Sequence, residues 1–229
     1  MKLLVTCEHA GNEIPQELQE RNLIPADVVA THRGYDIGAK DLYETLAKIA
    51  HFKISNTITR LLVDLNRSTH NKNVFSIYTR KLPLNVQQEL LNNYYLPYRS
   101  KVIDFIERVR KTGESTLHVS VHTFTQNLNG IERNGDVTLL FDSANAFEKR
   151  FAQRWKEQLK NSNPELKVRF NYPYLGKSDG FTTYLRKAFP HSYAGIELEV
   201  NQKFATENKL PEWLKTQIEQ SLKAAYESW

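Results

Sequence analysis

The chain has 229 residues, 40% of them apolar and 25% charged, with a net charge of +5 and a pI near 9.1. That length suits one α/β domain built on a large sheet, and the composition is that of a globular protein rather than a disordered or fibrous one. No stretch approaches the roughly 18 uninterrupted apolar residues of a membrane span, and the basic residues are dispersed rather than massed, which speaks against a nucleic-acid partner.

The chain opens MKLLVTCEHAGNEIP, where Lys2–Thr6 is predicted as a strand. One lysine and a four-residue apolar run are too short for a signal-peptide core of about 7–15 residues. A cytoplasmic location is the expectation, and the single cysteine, Cys7, agrees with a reducing compartment because it has no internal disulfide partner. At the end of LLVTC, Cys7 reads as a small buried residue rather than a nucleophile. His9 follows the strand, and Gly11 permits a sharp turn that exposes its imidazole above the sheet. A histidine in such a place is either a structural hydrogen-bonding residue or a metal ligand.

After a short helix over Pro15–Glu20, the segment HRGYDIGA sets Asp36 at the mouth of a helix spanning Ala39–Ala50. Asp36 is there either a helix cap or a carboxylate ligand, with Glu8, Asn12 and Glu13 near His9 as the competing choices. The helix presents Leu42, Tyr43, Leu46 and Ile49 as one apolar stripe and is scaffold. A strand over Phe52–Thr57 and a second over Leu61–Asp64 come next. In RLLVDLNRS the apolar run is broken by Asp64 and released into Asn66-Arg67. An arginine fork beside an amide donor can grip a carboxylate, and an Asp64–Arg67 ion pair is the plainer alternative.

A long helix is predicted over Asn85–Lys111, followed by the strand Leu117–His122, which delivers His122 to the sheet end. His118 shares its face but lies about 13 Å away along the strand, too far to share a metal ion with His122. Strands over Asp136–Phe141, Lys167–Asn171 and Gly195–Val200 alternate with helices over Asn145–Lys160, Phe181–Ala188 and Pro211–Ser228. This alternation predicts a central mixed, largely parallel sheet flanked by helices. The last strand carries Glu197, Glu199 and Asn201 on one face, so that face should meet solvent, a cation or a cleft. Near a metal, one of the two glutamates can act as general acid and base. The irregular stretches Ser68–Leu84, Thr123–Gly135 and Asn171–Gly180 all follow strands, where open α/β sheets place their binding loops.

In this order, CEHAGNEIP, HRGYDIGA, RLLVDLNRS, the SVHTF strand end, NYPYLGKSDGFT and IELEVNQ make the chain resemble the N-formylglutamate amidohydrolase family over essentially its whole length, as one domain spanning 1–229. The resemblance implies a zinc carboxypeptidase-like fold and a cytoplasmic zinc hydrolase of a linear amide bond. It implies one zinc ion per chain, held by His9, Asp36 and His122. The acidic ligand of zinc carboxypeptidases lies three residues after the first histidine, a place that holds Asn12 here.

Asn66-Arg67 resembles the pair that grips a terminal carboxylate in that wider group. Glu199 then becomes the general base, with Glu197 taking its place if the alignment slips by one strand period. Asn201-Gln202 departs from the arginine and aspartate often found after the glutamate. Arg60 is expected to stabilise the oxyanion, and Tyr172 or Tyr174 to cover a small acyl amino acid such as N-formylglutamate. A carboxypeptidase, another deacylase of acyl amino acids and a noncatalytic ligand-binding member of the family are the alternatives.

Overall fold

The computed structural model describes residues 1–228. β1 (Lys2–Cys7) leads through two single-turn helices, α1 (Gln16–Gln19) and α2 (Ala26–Val29), into α3 (Ala39–Leu46) and β2 (Phe52–Ser55). After a long irregular stretch, α4 (Leu84–Leu90) runs through a π-helical turn at Leu91–Tyr95 into α5 (Leu96–Lys111). β3 (Thr116–Phe124) is followed by a small hairpin, β4 (Asn127–Leu128) and β5 (Ile131–Glu132), and by β6 (Val137–Leu140). The chain ends with α6 (Ala146–Ser162), β7 (Val168–Phe170), α7 (Phe181–Ala188), β8 (Tyr193–Asn201), a 3-10 turn at Gln202–Phe204 and α8 (Glu212–Glu227).

Six strands form one sheet in the order β2-β1-β3-β8-β6-β7, parallel throughout except where β6 meets β8. This is the mixed, mostly parallel sheet that the alternation of elements predicts. Every residue of β3 is buried, because helices cover both faces. On one face Leu3, Val5, Val119, Val121, Ile196 and Leu198 pack against α3, α6 and α8 through residues such as Leu42, Trp155 and Ile218. On the other, Leu4 packs with Val102 and Ile106 of α5 and Phe181 and Leu185 of α7. The second layer does not extend to the carboxyl ends of β1, β3 and β8, and there the face turns polar.

Two expectations are corrected. Leu61–Asp64 is no strand: Leu61, Leu62 and Val63 are buried, but turns and side chains satisfy their backbone. Leu62 N donates to Thr59 O, Asp64 N to Val74 O, and Thr79 Oγ1 to Leu62 O. A short, wholly buried apolar run has the same composition whether it pairs or coils, so its pattern could not separate the two. The helix predicted over Asn85–Lys111 contains the π turn, which side-chain periodicity alone does not reveal. Gly11 ends the turn after β1 and allows a close approach there: a Cβ on it would lie 2.6 Å from Thr57 O. It lets the loop after β1 run against the end of β2, where Ala10 N donates to Asn56 O and Glu13 N to Thr57 O.

Candidate active site

The carboxyl ends of β1, β3 and β8 open into a cavity of about 530 Å³, lined by His9, Asp36, Arg60, Asn66, Arg67, His122, Glu197 and Glu199, with Asn71, Asn73, Tyr174 and Asp179 among the loop residues at its wall. β3 and β8 pair with His122 opposite Glu199 and Ser120 opposite Glu197, so these four side chains share the face that looks into it. Asp36 is drawn beside His9 by its own backbone, whose N–H donates to His9 O at 3.0 Å. It does not cap α3, whose N-cap is Gly38 at φ +84° with no capping side chain. Its carboxylate is instead buried against both histidines.

His122 Nδ1 lies 2.9 Å from Asp36 Oδ2, and His9 Nδ1 lies 3.5 Å from the same oxygen. The ligand atoms of His9, Asp36 and His122 all lie within 4.8 Å of one another. The far nitrogen of each ring is already engaged. His9 Nε2 is 2.7 Å from Asp64 Oδ1, and His122 Nε2 is 2.9 Å from Ser120 Oγ and 3.3 Å from Glu8 Oε2. Carboxylate partners on the outer nitrogens fix the ring orientations and leave both Nδ1 atoms for an ion, the usual arrangement behind histidine ligands. His9 Nδ1 is buried and has no hydrogen-bond partner, so the three residues fit a divalent metal bound through two nitrogens and one oxygen.

The electrostatics point the same way. Burial alone would raise the Asp36 carboxyl, but the nearby charge of His9 and the hydrogen bond from His122 hold it well below the usual carboxylate range. Burial is likewise outweighed at Glu8, kept ionised by the hydrogen bond and charge of His122, by His118 and by Ser120. Wedged between these carboxylates, His122 is pushed well above the ordinary histidine value despite its burial. Glu199 behaves oppositely. Burial, with the charges of Asp36 and Glu197, outweighs His122 and Arg60 and lifts its carboxyl to about 8. Its Oε2 is buried without a partner.

Arg60 bridges the two aspartates, NH1 at 3.3 Å from Asp36 Oδ1 and NH2 at 2.9 Å from Asp64 Oδ2. The ion pair expected between Asp64 and Arg67 is thus replaced by Asp64–Arg60 and Asp64–His9 pairs, and Arg67 NH1 donates to Asp179 O at 2.5 Å. Asn66 Oδ1 accepts from Phe181 N at 2.7 Å, which docks the start of α7 onto the site. Tyr174 lines the cavity, whereas Tyr172 stands outside the lining with its hydroxyl accepting from Asn134 N. Glu13 is spent on Thr57 at the surface, and Asn12 donates to Val29 O, so neither joins the histidines. Cys7 is buried in the apolar core, where its thiol is pushed well up by burial and by the charges of Glu8 and Asp36.

Two groups that sequence reading does not single out hold the Asn66-Arg67 loop. Tyr95, at the end of the π turn, donates from its hydroxyl to Arg67 O at 2.7 Å. Arg99, one turn on, is buried and donates to Leu65 O and Arg67 O, both at 3.2 Å, with its guanidinium over the rings of Tyr95, Phe181 and Tyr184. Their signal in sequence is faint: a buried arginine and a tyrosine four apart in a helix are usually read as surface and core.

Comparison with known proteins agrees with this architecture. Residues 1–205 match the family model for N-formylglutamate amidohydrolase. No curated protein matches the sequence. The structure is similar to that of a gene product from Agrobacterium tumefaciens, with 21% identity, a TM-score of 0.83 and coverage of 99% of this chain and 91% of the other. It is also similar to an N-formylglutamate amidohydrolase from Ralstonia eutropha, with 17% identity, a TM-score of 0.76 and coverage of 99% and 93%. At such identities the two structures speak to the fold alone. The family model matches most of the chain, and the chain therefore belongs to the N-formylglutamate amidohydrolase family, a family of hydrolases that act on an amide bond.

Proposed function

We propose that the chain hydrolyses the N-formyl or N-acyl amide of a small amino acid, using one zinc ion held by His9, Asp36 and His122. The observation that carries this reading is the convergence of two histidine Nδ1 atoms on Asp36 Oδ2, with each outer Nε2 anchored on a carboxylate or hydroxyl. When bound, zinc in such a site lowers the pKa of a water toward about 7 and polarises the amide carbonyl.

The remaining work falls to side chains. Glu199, which lines the cavity with its buried Oε2 unpartnered, takes a proton from the attacking water and returns it to the leaving nitrogen. Arg60, held in place by Asp36 and Asp64 yet lining the cavity, opposes the negative charge that develops on the carbonyl oxygen. Arg67 binds the substrate's α-carboxylate with its guanidinium, aided by the Asn66 amide, and Tyr174 covers the substrate from the loop over the mouth. The neighbouring Glu197 is hydrogen-bonded by Thr182 Oγ1 at 2.5 Å and is the weaker candidate for the base.

Glu199→Gln tests the assignment. Both the variant and the wild type should bind zinc stoichiometrically, while turnover of an acyl amino acid by the variant falls by about 10²–10⁴-fold. A Glu199→Gln protein that keeps full activity would remove Glu199 as the base. A wild-type chain that cannot be loaded with any divalent metal would remove the hydrolase mechanism altogether.

A further inference from the structure

The charges around the cavity are unequal, and their imbalance bears on which amino acid the site accepts. Among the described residues its lining carries two guanidinium groups, Arg60 and Arg67, and no lysine. Arg60 is already committed, one nitrogen to Asp36 and one to Asp64. Arg133, the guanidinium that engages Tyr174, is outside the lining and lies over the tyrosine ring. Arg67 is therefore the one lining cation without a carboxylate partner among the described residues.

Arg67 is itself flanked by acids. It donates to the Asp179 carbonyl, and the Asp179 side chain stands on the same wall, with Oδ2 accepting from Ser68 N and Asn71 Nδ2. Burial would raise the Asp179 carboxyl, but these hydrogen bonds and the Arg67 charge keep it below the usual carboxylate value, so it is ionised at neutral pH. Glu197 Oε1 approaches the next residue, Gly180, so closely that a Cβ there would lie 3.3 Å from it. Asn66 Oδ1 would lie 3.2 Å from the same point, so Glu197, Asn66 and the Asp179–Gly180 backbone form one corner of the pocket.

Asp36 and, behind His122, Glu8 face the metal position, and Asp64 holds Arg60, so these charges are committed away from the substrate. What is left for the substrate is one cation, Arg67, against two carboxylates, Asp179 and Glu197. An N-acyl monocarboxylate satisfies Arg67 and leaves the acids to face a neutral or cationic side chain. An N-acyl dicarboxylate finds no second cation, and its side-chain carboxylate must lie beside two like charges.

We infer that this chain is specific for N-acyl amino acids whose side chain is uncharged or cationic, and that Asp179 and Glu197 discriminate against acidic side chains such as that of glutamate. The inference rests on the acyl amino acid hydrolase reading above.

The test uses the zinc-loaded full chain with N-formyl-L-glutamate, its neutral isostere N-formyl-L-glutamine, and N-formyl-L-lysine. Glutamine and lysine substrates should exceed glutamate in kcat/KM by about tenfold or more, and the ratio should shrink as salt rises and screens the carboxylates. In Asp179→Asn combined with Glu197→Gln, the glutamine-to-glutamate ratio should fall toward one, a readout that a general loss of activity does not mimic. Glutamate turned over as well as glutamine, or a ratio unmoved by the double substitution, overturns the inference while leaving the hydrolase reading intact. If none of the three is turned over, the hydrolase reading fails, and binding of the same compounds by calorimetry still decides specificity. Tighter binding of glutamate, or no binding of any of them, overturns it.

Discussion

Asp64→Asn is the sharpest probe of how the metal centre is supported, because it alters one atom of a residue that is not itself a proposed ligand but holds one, His9, from behind. Asp64 Oδ1 receives His9 Nε2 at 2.7 Å and Asn66 N at 3.0 Å, and Oδ2 receives Arg60 NH2 at 2.9 Å. An asparagine keeps the first oxygen and turns an amide donor toward the arginine. The Arg60 contact becomes donor against donor, and one carboxylate that compensated a partly buried guanidinium is gone, leaving Asp36 at 3.3 Å. Losing one charged hydrogen bond of this kind costs about 1.5–3 kcal/mol of stability.

His9 is affected separately. Its Nε2–H loses a negatively charged acceptor, so Nδ1 becomes a poorer donor to a cation, and partners of this type are worth about 10–100-fold in metal affinity. The assay is zinc competition against a chromophoric chelator on folded protein, with denaturant unfolding of the metal-free chain measured in parallel. Zinc affinity equal to wild type in a folded Asp64→Asn protein would refute the proposed coupling between Asp64 and His9, whatever happens to stability.

Tyr95→Phe removes one hydrogen bond to the Arg67 carbonyl and leaves the ring under Arg99. KM for an acyl amino acid should rise about 2- to 10-fold with kcat little changed, in keeping with a neutral hydrogen bond worth about 0.5–1.5 kcal/mol. An N-formyl amine lacking the carboxylate should show no change, and an equal loss on both compounds would mean that Tyr95 does not act through Arg67.

His118 gives a pH prediction away from the metal ligands. It is buried between Thr6 Oγ1 and Tyr193 OH, both at 2.7 Å, and burial, assisted by Arg186 and His122 and opposed by Glu8, lowers it to about 4. Its folded pKa lies below the unfolded value near 6.5, so the unfolded chain gains the proton first and stability falls as pH drops from about 6.5 toward 4. The loss attributable to this residue at pH 5 is about 2 kcal/mol. In His118→Gln the drop in unfolding free energy between pH 7.5 and pH 5 should shrink by that amount, and a drop identical to wild type would show that His118 is not the acid-sensitive group.

Much of the architecture is set by local pattern. The apolar runs that became β1, β3 and β8 stand out because β-branched residues alternate with the polar side chains that end up on the site face. The helix stripes of α3, α6 and α8 follow the same logic with a 3.6-residue period. Strand ends are where an α/β sheet exposes its chemistry, so His9, His122 and the face shared by Glu197 and Glu199 stand out by position, while the choice of Glu199 over Glu197 came from the family resemblance. Asp36 could be named but not told apart from a helix cap, because both roles ask for an acid at the start of a helix.

Tertiary structure decided which groups meet. Asp64 lies 55 residues from His9, Glu8 lies 112 from Ser120, and Arg67 reaches Asp179 across 112, separations that leave no periodic trace in sequence. The supporting pair Tyr95 and Arg99 needed the π turn to be seen, and the excess of acid around Arg67 needed the Asn171–Gly180 loop folded over the sheet end. Residue type and spacing determine which chemistry a strand end can carry. Which carboxylate orients a histidine and which is left to face a substrate is set only when distant segments pack, because charges act through space and not along the chain.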